Sequence, residues 1–323
     1  MRIVLFTIGL FLLTIVYVLY PIPSFAQQIS LSISPPLLKV FIKPGKSIMI
    51  AYKLENTGDP SILLTKVLPF EPADDKGTIR IKSEFEGPIR FNLDNADFAL
   101  GQPFFMKTRD SQQLLLRIRI PDGAPVGDYY YTLLAETTPP PTLEGAGSAG
   151  AKATIGSNIL ITVTKSGTID VIGKIGLFDV LSRYTLKLFG NAIKIFDSND
   201  KIPVVLIVEN KGKNLFVPEG QIVLKGGFGE KAQYDIIPQN VLAQSQRLMT
   251  ASDSAEFDRP ITLLIPGFFV GLYKLSTTLN FGENSPNIFA ATSFIAIPFK
   301  LIIGFLIALI IGIFIVKRLK DSD

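Results

Sequence analysis

Histidine, cysteine and tryptophan are all missing from this 323-residue chain. Without cysteine there is no disulfide framework and no thiolate ligand. Without histidine there is no imidazole metal site and no Ser-His or Cys-His nucleophile pair. The reading is therefore of a chain that is not an enzyme and carries no cofactor. Excess charge is scarce as well: 32 Lys and Arg against 28 Asp and Glu leave +4. Arg2 and Lys300 contribute one each, and the tail Lys317, Arg318, Lys320, Asp321 and Asp323 contributes one more. The +1 left for everything between is far below the basic surface a nucleic-acid partner requires.

Long apolar runs occur only at the two ends. Ile3 to Tyr20 is apolar, and Pro21, Pro23 and Ser24-Phe25-Ala26 follow it. A small residue stands at each position a signal peptidase inspects, which predicts a signal peptide over 1–26 cleaved after Ala26. An uncleaved anchor is the alternative, because the run exceeds the usual 7–15 residues or so of a signal core. At the other end, Phe299 to Val316 reaches about 27 Å at about 1.5 Å per residue, close to a bilayer core of about 30 Å. A transmembrane helix over 298–316 is expected, with Lys317, Arg318 and Lys320 as a stop-transfer cluster in a cytoplasmic tail, 317–323. Arg2 and these three cations would set the topology: a single-pass protein of the cell membrane, its bulk outside the cytoplasm. Gly304, Ala308 and Gly312 recur on one helix face. That stripe would allow a homodimer contact, and chance recurrence is the other reading.

Between the ends the dominant signal is period-two alternation punctuated by Pro, Gly and Asn, which predicts an all-β fold. Ile48, Ile50, Tyr52 and Leu54 alternate with Met49, Ala51 and Lys53; Leu114, Leu116, Ile118 and Ile120 and then Ile159, Ile161 and Val163 repeat the pattern. Two segments also recur in order. Tyr52-Lys53-Leu54-Glu55-Asn56-Thr57-Gly58 is echoed by Leu206-Ile207-Val208-Glu209-Asn210-Lys211-Gly212, and Val126-Gly127-Asp128-Tyr129 by Val270-Gly271-Leu272-Tyr273. Two tandem immunoglobulin-like β-sandwiches account for both, over 27–165 and 166–297. The Asn-x-Gly ends offer residues that tolerate positive φ for a sharp turn. Tyr129 and Tyr273 stand where such a sandwich places a corner tyrosine that hydrogen-bonds back along the chain, simple core packing being the other reading. Thr137 to Ala153, with Pro139-Pro140-Pro141 and a Gly/Ala/Ser run, reads as a long hairpin loop of the first sandwich, or as an interdomain linker.

The run from Ile118 through Pro121-Asp122-Gly123-Ala124-Pro125-Val126-Gly127-Asp128 to Tyr129 resembles a segment of prokaryotic surface immunoglobulin-like domains. Glu209-Asn210-Lys211-Gly212-Lys213-Asn214 with Pro218-Glu219-Gly220 resembles a second-domain segment of WxL-interacting cell-surface proteins, whose layout of signal peptide, two sandwiches and one membrane helix is similar to this one. The resemblance implies a first domain that binds peptidoglycan and a second that binds a WxL-bearing partner.

The acidic groups Glu71 with Asp74 and Asp75, Asp94 with Asp97, and Asp197 with Asp200 sit beside turn formers and match no calcium-loop spacing. They read as solvated turns, with an adventitious cation at Asp197-Ser198-Asn199-Asp200 as the sharper alternative. Phe104-Phe105-Met106 and Phe268-Phe269 cannot all point into one core, and packing between domains or a partner surface would use them. The functional expectation is a membrane-anchored scaffold that tethers a cell-wall polymer or another surface or secreted protein. The alternative is a membrane-held, chaperone-like accessory for export or assembly of surface proteins, which lends a strand to exported subunits.

Overall fold

A computed structural model describes residues 28–138, 152–169, 171–188, 191–252, 260–282 and 285–320. The signal-peptide prediction with Arg2, most of the Thr137 to Ala153 loop and the tail residues Asp321 and Asp323 lie outside the described residues.

The described residues are all-β up to one C-terminal helix, consistent with immunoglobulin-like sandwiches. With strands numbered in chain order, one sheet of the first sandwich runs β1 (Leu31–Ser34), β3 (Ser47–Asn56), β8 (Asp110–Arg119), β6 (Arg90–Leu93). The facing sheet runs β2 (Leu37–Ile42), β10 (Thr154–Val163), β9 (Gly127–Thr138), β4 (Ser61–Pro72), β5 (Ile79–Ile81), and β7 (Pro103–Met106) also pairs with β4. Alternation sets the faces: Tyr52, Leu54, Leu114, Leu116 and Ile118 from one sheet meet Leu133, Ile159 and Ile161 from the other in one core. Each fully buried Leu or Ile contributes about 1.5–3 kcal/mol, and no disulfide is needed to hold the layers.

The second sandwich sets β11 (Gly173–Val180), β14 (Ile202–Asn210) and β17 (Gln246–Leu248), with β18 (Leu263–Ile265) also on β14, in its smaller sheet. Its larger sheet runs β12 (Tyr184–Leu188), β13 (Asn191–Asp197), β20 (Ile288–Ile297), β19 (Gly271–Asn280), β15 (Glu219–Gly226), β16 (Lys231–Asp235). Both sandwiches open the same way. A first strand pairs antiparallel in one sheet (β1 with β3, β11 with β14), and the chain then crosses to the other sheet to run parallel to its last strand (β2 with β10, β13 with β20).

The Asn-x-Gly echo has a different cause from the one expected. Neither asparagine adopts positive φ; among the described residues only Arg109 and Gln244 do so outside glycine. Asn56 is 0% exposed and donates through Nδ2 to the carbonyls of Asp59 (2.8 Å) and Lys107 (3.2 Å), while its Oδ1 accepts the Gly58 amide. Asn210, 1% exposed, does the same toward Asn214 O (2.9 Å), Val241 O (3.0 Å) and the Gly212 amide. Each is a buried hub that ties the end of its strand, β3 or β14, to two loops.

Helix α1 (Phe299–Lys320) follows β20 directly. Among the described residues no helix is long and apolar enough to cross a membrane, and this corrects the expected single-pass membrane localisation with its cytoplasmic tail. The apolar side chains of α1 from Leu301 to Ile315 are exposed. Lys317 and Arg318 lie in the last turns, where cations meet the negative end of the helix dipole. Gly304, Ala308 and Gly312 face open space.

Candidate binding surfaces

Among the described residues, the first sandwich ends on a bare apolar edge. Strand β2, Leu-Leu-Lys-Val-Phe-Ile, is the outermost strand of its sheet and has β10 on one side only. The amides of Asn158 and Thr164 donate to the carbonyls of Pro36 (3.0 Å) and Ile42 (3.1 Å), so the even-numbered groups of β2 face β10. By alternation the N–H and C=O groups of Leu37, Lys39 and Phe41 point away from the sheet, unpaired. Leu38, Val40 and Ile42 pack on the core, while Leu37 and Phe41 are 41% and 60% exposed on the outer face. A flat apolar edge of this kind is a template for another strand, and Lys39 at its middle is the usual protection against indiscriminate pairing.

The second sandwich shows what such an edge accepts. Its strand β13 occupies the position of β2, parallel to the last strand, but β12 covers its outer edge as an antiparallel partner, from Tyr184↔Ile195 to Leu188↔Asn191. The side chains from Tyr184 to Lys187 are all exposed, so β12 holds its place through the ladder and a Tyr184–Phe299 ring contact rather than by burial. Among the described residues, no strand takes the corresponding place beside β2.

The two sandwiches meet at a junction built around Asp128. Its carboxylate accepts from Asn214 Nδ2 (2.9 Å), the Leu215 amide and the Tyr130 hydroxyl (3.1 Å), and its own amide donates to Lys213 O (3.1 Å). The Tyr130 hydroxyl also accepts the Ala243 amide (2.8 Å). Burial, and then the adjacent Asp128 charge, push the Tyr130 phenol well above its ordinary range. Phe70 stacks on Tyr130 and shares an apolar cluster with Leu160 and Leu215. Beside it the Leu248 amide donates to Asp75 O (2.6 Å), and the Arg247 guanidinium lies against Gly77, where any side chain would collide with it. Burial lowers the Arg247 pKa, and Asp74 opposes that effect. This junction went unread in the sequence. The one available signal was that Asp128 stands where the second repeat has Leu272.

The remaining sequence-predicted residues fall as follows. Tyr129 donates to Pro125 O (3.0 Å), four residues back. Tyr273 is buried, donates to Glu230 (3.1 Å) and lies 3.4 Å from the Val270 amide. Phe105 and Phe268 are exposed, while Met106 and Phe269 are core residues. Glu71 pairs with Arg80 and Asp94 with Arg117. The Asp197 to Asp200 turn serves as a clasp for α1: Asp197 Oδ2 accepts the Lys300 amide (3.0 Å) and Asp200 holds the Lys300 ammonium (2.8 Å). Among the described residues no group of three acidic ligands gathers that could hold a metal.

No family model matches the chain and no curated protein sequence matches it. Among solved structures, the YadV chaperone aligns at 11% identity over 82% of this chain and 99% of its own, TM-score 0.36. The class 5 fimbriae chaperone CfaA aligns at 12% identity over 83% and 100%, TM-score 0.37. A CsuC-CsuE chaperone and tip-adhesion-subunit complex of Acinetobacter baumannii gives 13%, 83% and 99%, TM-score 0.35. These are distant likenesses to chaperones, and no residue, partner or activity is transferred from them.

Proposed function

We propose that this chain is a non-enzymatic, chaperone-like binding protein that takes an extended segment of a surface or secreted protein as an added strand on the outer edge of β2. The observation that carries the reading is the contrast between the sandwiches: β13 has a strand on its outer edge and, among the described residues, the equivalent β2 has none. Main-chain hydrogen bonds to Leu37, Lys39 and Phe41 would supply affinity, and the exposed Leu37 and Phe41 side chains would select apolar residues at alternate positions of the client. The fixed junction at Asp128 would hold the second sandwich at a constant angle to the bound segment.

Peptide arrays of strand-forming segments, set against folded proteins and wall polymer, test the reading. The expected result is retention of extended apolar peptides and loss of that retention in Lys39→Pro. Proline there removes an outward N–H and leaves the ladder to β10 intact. Retention undiminished in Lys39→Pro, or retention of folded partners alone, would overturn it.

A further inference from the structure

A second, unrelated surface lies on the outer face of the β1-β3-β8-β6 sheet. Arg90 of β6 stands directly opposite Arg119 of β8, and Asn92 opposite Arg117. Between them Phe91 and Ile118 turn inward and are buried, so the three arginines share the exposed face. With Asn92, Pro121 and Asp122 they line a concavity of about 430 Å³. Arg117 is neutralised by Asp94, to which its Nε also donates at 2.7 Å. Arg90 is steered by the carbonyls of Gly87 (2.9 Å) and Ile89 (3.2 Å), which fix its head without cancelling its charge. Among the described residues no ion pair engages Arg90 or Arg119.

Two like charges directly opposite on neighbouring strands destabilise a sheet unless an anion sits between them. We propose that this concavity binds a phosphate ester. A planar carboxylate satisfies one guanidinium fork, whereas a tetrahedral phosphate presents oxygens to two forks at once. Asn92 adds a neutral donor, and Asp122, which also lines the concavity, is an acceptor for a hydroxyl next to the phosphate, which narrows the class to phosphates carried on a polyol or sugar. The site is independent of the β2 edge, and either can fail alone.

The test is calorimetric titration of the full chain with glycerol 1-phosphate, inorganic phosphate and acetate at low ionic strength. Glycerol 1-phosphate is expected to bind more tightly than inorganic phosphate, and acetate not to bind. Arg119→Gln, which breaks no described contact, should weaken binding on the order of tenfold with an unchanged melting temperature. Asp94→Asn should tighten binding by freeing Arg117, and Asp122→Asn should erase the preference for the glycerol ester. Soluble poly(glycerol phosphate) and phosphatidylglycerol vesicles separate a polymer source from a lipid headgroup, and retention on either supports the site. Binding by Arg119→Gln equal to the parent, acetate equal to phosphate, or no heat from any phosphate overturns it.

Discussion

A buried asparagine that donates to two carbonyls and accepts one amide has no substitute among the other side chains, because every exchange orphans at least one main-chain group. Asn210→Ala removes one of the two donors to Val241 O, which keeps the Phe216 amide, and the acceptor of the Gly212 amide inside the second core, and should cost about 2–4 kcal/mol, read as a lower urea midpoint at unchanged slope. Asn56→Ala should do the same to the first sandwich. Asn210→Asp keeps the acceptor but loses both donations and buries a charge, so it should be at least as damaging. These residues were legible as an echo, since strand, Asn and Gly recur in order, but not as hubs. A turn that needs positive φ and one that needs a buried amide share the same letters, and only the carbonyls of Lys107 and Val241, distant in sequence, tell them apart. The same limit hid Asp128, whose partners Asn214 and Leu215 lie in the other sandwich.

Strands β3 and β8 were readable because alternation survives wherever one face is wet; Met49 and Lys53 on the outer face of β3 keep its period clean. The insertion of β12 ahead of β13 was not readable, since a hairpin held by its ladder leaves no burial pattern. Helix α1 was legible as a helix, but its tie to the second sandwich was not, because the Asp197 carboxylate that receives it lies about a hundred residues upstream. Burial opposes ionisation of Asp197, yet the Lys300 and Asn199 amides and the Lys300 ammonium hold its carboxyl below the ordinary range. A carboxyl depressed in the folded state stabilises above its unfolded pKa of about 3.9 and stops doing so as pH falls through the lower folded value. Amide exchange over the first turn of α1 should therefore be slow and constant from neutral pH down to about pH 5, after correction for intrinsic rates, and should accelerate below about pH 4. In Asp197→Asn, which keeps an acceptor for the Lys300 amide but carries no charge, that acid-induced step should vanish.

Two sandwiches on a flexible linker would unfold and tumble as separate bodies, and the junction is what argues otherwise. Asp128 satisfies donors from Asn214, Leu215 and Tyr130, the Phe70 and Tyr130 rings stack beside Leu215, and Leu248 bonds the loop at Asp75. Polar closure and apolar burial thus act on the same few square nanometres, and buried bonds to a charged acceptor contribute about 1.5–3 kcal/mol each. Asp128→Leu, which installs the residue that the second repeat carries at Leu272, leaves the Leu215 amide and the Tyr130 hydroxyl short of a partner. It should cost about 2–4 kcal/mol of coupling between the sandwiches. The intact chain should melt in one calorimetric transition and Asp128→Leu in two, with a larger radius of gyration in solution scattering and faster exchange at the Leu215 and Leu248 amides. Binding of strand-forming peptides to β2 should persist in this variant, since β2 owes nothing to Asp128. A single transition at an unchanged temperature would mean that the junction carries no coupling, and that the angle between the sandwiches is set by the linker at Lys165-Ser166-Gly167 alone.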